Sequence, residues 1–135
     1  MMSSYQTTEC LFELEPGWSD ETGYVYVDGD VRVVVGPFAP EAEANGKLEQ
    51  ALERFRLAVP SYELLERQQT DSPVRGSELI AHRLGGALGI FEISVFWRLG
   101  QMLWVIRAAG PSDAEPRCRA AVSSFCESYE PIEAA

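Results

Sequence analysis

The chain has a single histidine, three cysteines and no long apolar run in its 135 residues, and each scarcity removes a class of function. Nucleophilic and general-base catalysis at neutral pH usually draws on histidine. The one candidate, His82, falls in the middle of an expected strand with no serine or cysteine at a recognisable elbow, so it reads as a packed or sheet-surface residue. Cys10, Cys118 and Cys126 form no C-x-x-C pair. On one helix Cys118 and Cys126 stand about 12 Å apart, beyond disulfide reach. One histidine with three scattered cysteines also falls short of a transition-metal site, and no metal or cofactor is expected. An odd number of thiols fits a reducing compartment. No stretch approaches the ~20 apolar residues of a membrane span. Met1 to Thr8 lacks the basic and apolar regions of a secretory signal, and the protein is therefore placed in the cytoplasm.

Basic residues are also scarce. Lys and Arg number 11 against 21 Asp and Glu, a net charge of −10 that repels phosphate backbones and anionic lipid heads. Nucleic acid and membrane surfaces are therefore poor partners. The acids are scattered, from Glu9 and Glu13 to Glu130 and Glu133, as on a solubilising surface.

What is present is the make-up of one globular domain spanning residues 1–135, 46% hydrophobic and 24% charged. Residues 1–8 and 131–135 are expected to be loosely ordered. Cys10 to Leu14 reads as a strand stopped by Pro16-Gly17 before Trp18. Thr22 to Val27 and Val31 to Val35 form a hairpin about Asp28-Gly29-Asp30, and Gly36-Pro37 ends it. From Glu41 to Val59 the apolar positions Leu48, Ala51, Leu52, Phe55, Ala58 and Val59 recur at helical spacing up to Pro60, with Gly46 loosening the first turns. Tyr62 to Gln69, Leu79 to Leu84, Leu88 to Leu99 and Gln101 to Ala108 make a four-strand meander. Gly110-Pro111 breaks it. Ser112 to Glu115 has the form of a capping box, with Pro116 in the first turn of a helix whose stripe is Cys118, Ala121, Val122, Phe125 and Tyr129. The order βββ-α-ββββ-α predicts an α+β domain: an antiparallel, curved sheet of about seven strands packed with two helices.

Catalytic chemistry finds little footing. Glu92 is mid-strand among apolar neighbours and has no visible carboxylate beside it, so an edge position or a salt bridge to Arg98 or Arg83 is the expected role. Gly85-Gly86-Ala87-Leu88-Gly89 lies between strands and reads as a hairpin turn, because a phosphate cradle needs a helix after the loop. The chain is expected not to be an enzyme. Apolar surface remains: Val25, Val27, Val33 and Val35 are read as one face of the first hairpin, near a helix carrying Leu52, Phe55 and Val59. Such residues form either an ordinary core or an aliphatic groove for an apolar partner.

The stretch Leu11-Phe12-Glu13-Leu14-Glu15-Pro16-Gly17-Trp18-Ser19-Asp20 resembles the opening F-x-L-P-x-G-W-x-D of a bacterial family with a PsbP-like fold, which includes the Eag chaperones of type VI secretion. The likeness continues in the helix-Pro-strand passage from Phe55 to Leu64 and in the paired strands Val95-Phe96-Trp97 and Leu103-Trp104-Val105. It implies a cytoplasmic homodimer whose aliphatic sheet groove shields the hydrophobic, transmembrane-like N-terminal helices of a secreted effector. By position it implies client-binding roles for Val25, Val27, Val33, Val35, Leu52, Phe55, Val59, Ile93, Ser94 and Val95; the positions of the family's polar grips fall near Ala51 and near Ile93 or Ser94, where this sequence has no amide side chain. The open alternative is a PsbP-like domain that binds another protein or a small apolar ligand.

Overall fold

The computed structural model describes residues 3–6, 10–14, 19–20, 25–59, 61–85 and 89–131. Pro16-Gly17-Trp18, on which much of the family likeness rests, lies outside the described residues, as does Gly86-Ala87-Leu88. The strands are β1 (Ser3–Gln6), β2 (Cys10–Leu14), β3 (Ser19–Asp20), β4 (Val25–Asp28), β5 (Val31–Pro40), β6 (Glu63–Thr70), β7 (Ser77–Leu84), β8 (Ile90–Leu99), β9 (Met102–Pro111) and β10 (Glu130–Pro131). Helix α1 (Glu41–Ala58) joins β5 to β6, and α2 (Glu115–Ser128) follows β9.

The architecture is α+β, as expected. A seven-stranded antiparallel sheet in the order β3-β4-β5-β9-β8-β7-β6 forms the body, and a second sheet, β1-β2-β10, adds three strands. The seven expected strands are present, but Cys10–Leu14, expected in the single curved sheet, belongs to the second one because it pairs with β1 and β10. The additional ones, β1, β3 and β10, are short, and two of them have only two residues. Ser3–Gln6 and Pro131, expected to be loosely ordered, are strand because both segments pair with β2.

Strand periodicity divides the side chains between two unequal faces. One cross-strand row, Tyr26–Val33–Ala108–Ile93–Ala81, faces α2. The next, Val35–Ile106–Val95–Leu79, does the same. The α2 stripe Cys118, Ala121, Val122 and Phe125 closes over them to make the main core. Trp97 is buried against Phe125 and Tyr129, and its indole N–H donates to the Tyr129 hydroxyl at 2.9 Å. Helix α1 seals a smaller core on the opposite face, with Leu48 against Ile80, Phe96 and Val105.

Three local expectations are corrected. β5 does not stop at Gly36-Pro37 but continues through a bulge between Pro37 and Ala39. It has by then outrun β4, whose last partner is Val34, so a missing proline amide is tolerated on that outer side. β9 likewise runs through Gly110 to Pro111; a Cβ on Gly110 would sit 3.1 Å from the Val31 side chain, which makes this glycine a packing requirement. The Ser112–Glu115 capping box gives way to a 3₁₀ turn over Ser112–Ala114. Ala114 is the N-cap, and Glu115 turns its carboxylate to Arg119 and Arg83. Helix α1 begins at Glu41, and Gly46 lies within it without interruption.

Candidate functional site

The two-residue turn Gly29-Asp30, with Gly29 at φ +62°, sets Asp28 opposite Val31 and hence Val25 opposite Val34 and Val27 opposite Arg32. Val25 and Val27 therefore share a face with Arg32 and Val34. Val33 and Val35 point the other way, into the α2 core, where both are fully buried. The expectation that Val25, Val27, Val33 and Val35 line one face is corrected by this register, since adjacent strand residues alternate between faces.

The α1 face is only half covered. The helix lies over Phe38, Ile80, Phe96 and Val105, on the Phe38 side of β5 and the Val105 side of β9, and leaves β4 with Arg32 and Val34 of β5 and Arg107 and Ala109 of β9 without a covering element among the described residues. That end presents the row Val27–Arg32–Ala109 beside the row Val25–Val34–Arg107. Val34 is 36% exposed and Ile90, farther along the sheet, is 48% exposed, in contrast to the sealed residues of the α2 face. Val59, Leu84, Ile90, Ala109 and Pro111 border an open, mainly apolar cleft of about 850 Å³ at the same end, with Asp30 at its rim.

A polar cluster separates this strip from the end of α1. His82 and Glu92 are cross-strand neighbours, with Nε2 3.0 Å from the Glu92 carboxylate. The carboxylate accepts from Nε2, and Nδ1 lies 3.3 Å from the Tyr62 hydroxyl. Arg107 Nε lies 3.3 Å from the same carboxylate and donates to Ser94 Oγ at 3.2 Å. Phe55 and Tyr62 both present ring contacts to the imidazole. The partners expected for Glu92 are corrected: Arg98 pairs with Glu41, and Arg83 with Glu63 and Glu115, because Arg83 projects from the α2 face and Arg98 lies by the start of α1. The cluster is closed, with His82 4% exposed and a void of only about 20 Å³ against it, the room of one water.

The residues singled out from the sequence thus fall into separate places. Val25 and Val27 belong to the open strip, and Val59 to the cleft. Leu52 and Phe55 are half-buried under α1, beside Ala51. Ser94 is buried on the α1 face as the support of Arg107. Val33, Val35, Ile93 and Val95 are core under α2. Sequence reasoning missed Val34, Ile90, Arg32, Tyr62 and Arg107. Counting outward from the two-residue turn would have found Val34 and Arg32; the place of Arg107 needed the β5–β9 register.

Among the described residues no group of histidine, cysteine and carboxylates is placed to hold a metal ion, and no helix is long and apolar enough to cross a membrane. No protein-family model and no curated protein matches the chain. Solved structures do. The solution structure of cyanobacterial PsbP (CyanoP) from Synechocystis sp. PCC 6803 is similar with a TM-score of 0.59 at 12% identity, over 97% of this chain and 92% of that one. A mutant of protein Mog1 gives 0.62 at 12% identity, over 98% and 97% of the two chains. Protein PA94 from Pseudomonas aeruginosa gives 0.58 at 14% identity, over 98% and 99%. The chain has the fold shared by PsbP-like and Mog1 proteins.

Proposed function

We propose that this protein is a non-enzymatic chaperone or adaptor that receives the hydrophobic N-terminal helices of a type VI secretion effector on the open β4–β5–β9 strip. The observation that carries this reading is the half-covered sheet: exposed Val34, flanked by half-buried Val25 and Val27, shares a face with exposed Ile90 and an apolar cleft with no described element above them. Aliphatic surface left uncovered on an otherwise well-packed domain is a binding surface. The PsbP-like fold and the likeness around Trp18 support the choice of cargo. The openness of the cleft favours an extended protein segment over a small apolar ligand, which an enclosed pocket would hold better. Catalysis is disfavoured by the His82–Glu92 cluster itself: both imidazole nitrogens are engaged, and the space beside them admits no substrate. Action as a cytoplasmic homodimer belongs to the same proposal, and sedimentation of the complex gives its stoichiometry.

Co-expression with an effector bearing N-terminal apolar helices tests the reading. The effector is expected to stay soluble with the wild-type protein and to aggregate with Val25→Asp or Val34→Asp variants that keep the wild-type thermal midpoint. Val33→Asp would be uninformative, because Val33 is core. Equal effector solubility with and without this protein sinks the proposal.

A further inference from the structure

The strip carries two cations whose hydrogen-bonding capacity is not used up. Arginines elsewhere on the sheet, Arg67, Arg83 and Arg98, are each closed by at least one carboxylate. Arg107 also has a carboxylate, Glu92, but on Nε alone, where Ser94 joins it; both of its terminal nitrogens bond to no described residue, and its side chain is 39% exposed. Arg32 is exposed on the same face and pairs with no described carboxylate. Arg32 stands opposite Ala109 and Arg107 opposite Val34, so the two arginines are diagonal neighbours, about 7–8 Å apart at their Cα atoms. Val25, Val27 and Val34 surround them. Glu92 offsets the charge of Arg107, so in a chain of net charge −10 the strip offers one uncompensated cation, Arg32, beside the open donor edge of Arg107.

We propose that this pair recognises a carboxylate carried by the apolar segment that docks on the strip, a Glu or Asp side chain of a partner protein's helix. The inference rests on the docking reading above and adds the polar chemistry of the partner. The terminal nitrogens of Arg107, their plane already fixed by Glu92 and Ser94, receive the carboxylate in the two-pronged geometry suited to guanidinium, with Arg32 beside it. Apolar contact grips a helix without specifying its register. One desolvated charge pair does specify it, because any other register leaves the partner's carboxylate among valines with no counter-charge.

Isothermal titration of the full chain with two synthetic Leu/Ala helices of about 20 residues tests this. Both carry terminal lysines, and they differ only in one central residue, Glu or Gln. The Glu peptide is expected to bind roughly tenfold more tightly, with the gap narrowing as NaCl is raised. Arg107→Gln is expected to remove the gap. Arg32→Gln, which leaves no described carboxylate unpaired, is expected to shrink it by itself. Equal binding of both peptides to the wild-type chain overturns carboxylate recognition and leaves the docking strip standing. A gap that persists in both variants also overturns it, since the carboxylate is then bound elsewhere. Binding of neither peptide overturns the docking reading and this inference together. Retention of decanoate with neither peptide does the same and assigns the strip to a small amphiphile.

Discussion

Single side chains decide how firmly the polar groups inside this domain are held. Trp97 is 1% exposed, and its indole N–H is satisfied by the Tyr129 hydroxyl. Tyr129→Phe leaves that donor buried with its acceptor gone, and is expected to cost about 1–3 kcal/mol in urea denaturation. A change within a few tenths of a kcal/mol of zero would mean that the indole finds another acceptor. His82 shows how a residue type can mislead. It reads from the sequence as packed or on the sheet surface, and it is packed, yet its proximity to Glu92 would suggest catalysis if taken alone. The Tyr62 hydroxyl lies on its other nitrogen and Arg107 on the far side of Glu92, so the cluster joins the β8–β9 strands to the end of α1.

Among the elements, α2 was the most legible, because a three-and-four repeat ending before Pro131 leaves one interpretation: Cys118, Ala121, Val122 and Phe125 are buried, and Tyr129, the fifth of the stripe, is half-buried at the C-cap. Helix α1 was legible in extent but not in weight. Leu48 is 6% exposed against the smaller core, whereas Leu57 is 71% exposed. Leu48→Ala is expected to cost about 2–5 kcal/mol and Leu57→Ala less than about 0.5 kcal/mol, compared by urea midpoints of the two variants. The first hairpin was recognised from its turn, but its facing was misjudged. Composition marks both Val25 and Val33 as apolar, and only the parity imposed by Gly29-Asp30 sends them to opposite faces. The capping box failed for a related reason. A Ser-x-x-Glu spacing permits reciprocal capping, but Glu115 is drawn to Arg83 on the sheet and Arg119 on its own helix, contacts that local sequence cannot reveal. The strip was only half legible, since its valines come from local pattern and its arginines from pairing between distant strands.

The whole molecule is bounded in pH from both sides. Burial pushes the Cys118 thiol up to about 11 and the Cys126 thiol up to about 12, and burial with the nearby Glu92 charge also raises the Tyr62 hydroxyl. The unfolded chain releases these protons at lower pH than the folded one, so stability falls as pH rises from about 9. Glu49 and Glu53 act with the opposite sign. Hydrogen bonds from Arg67 and Arg56 hold their carboxyls below the usual range, so the stability they lend is present above about pH 4.5 and lost below it. Both lie at the surface, which makes the acid limb the shallower one. Urea midpoints are expected to be flat between roughly pH 5 and 9, with an alkaline fall that softens in a Cys118→Ala, Cys126→Ala double variant. An unchanged alkaline slope in that variant would assign the fall to other groups.

The alternation along β5 has a consequence for descent. Val31, Val33 and Val35 answer to the packing of the interior, while Arg32 and Val34, interleaved with them, answer to whatever lies on the strip. One strand of this domain therefore evolves under two masters. On the docking proposed for the strip, a lineage can exchange its partner by changing every second residue of β5 while the intervening ones preserve the fold.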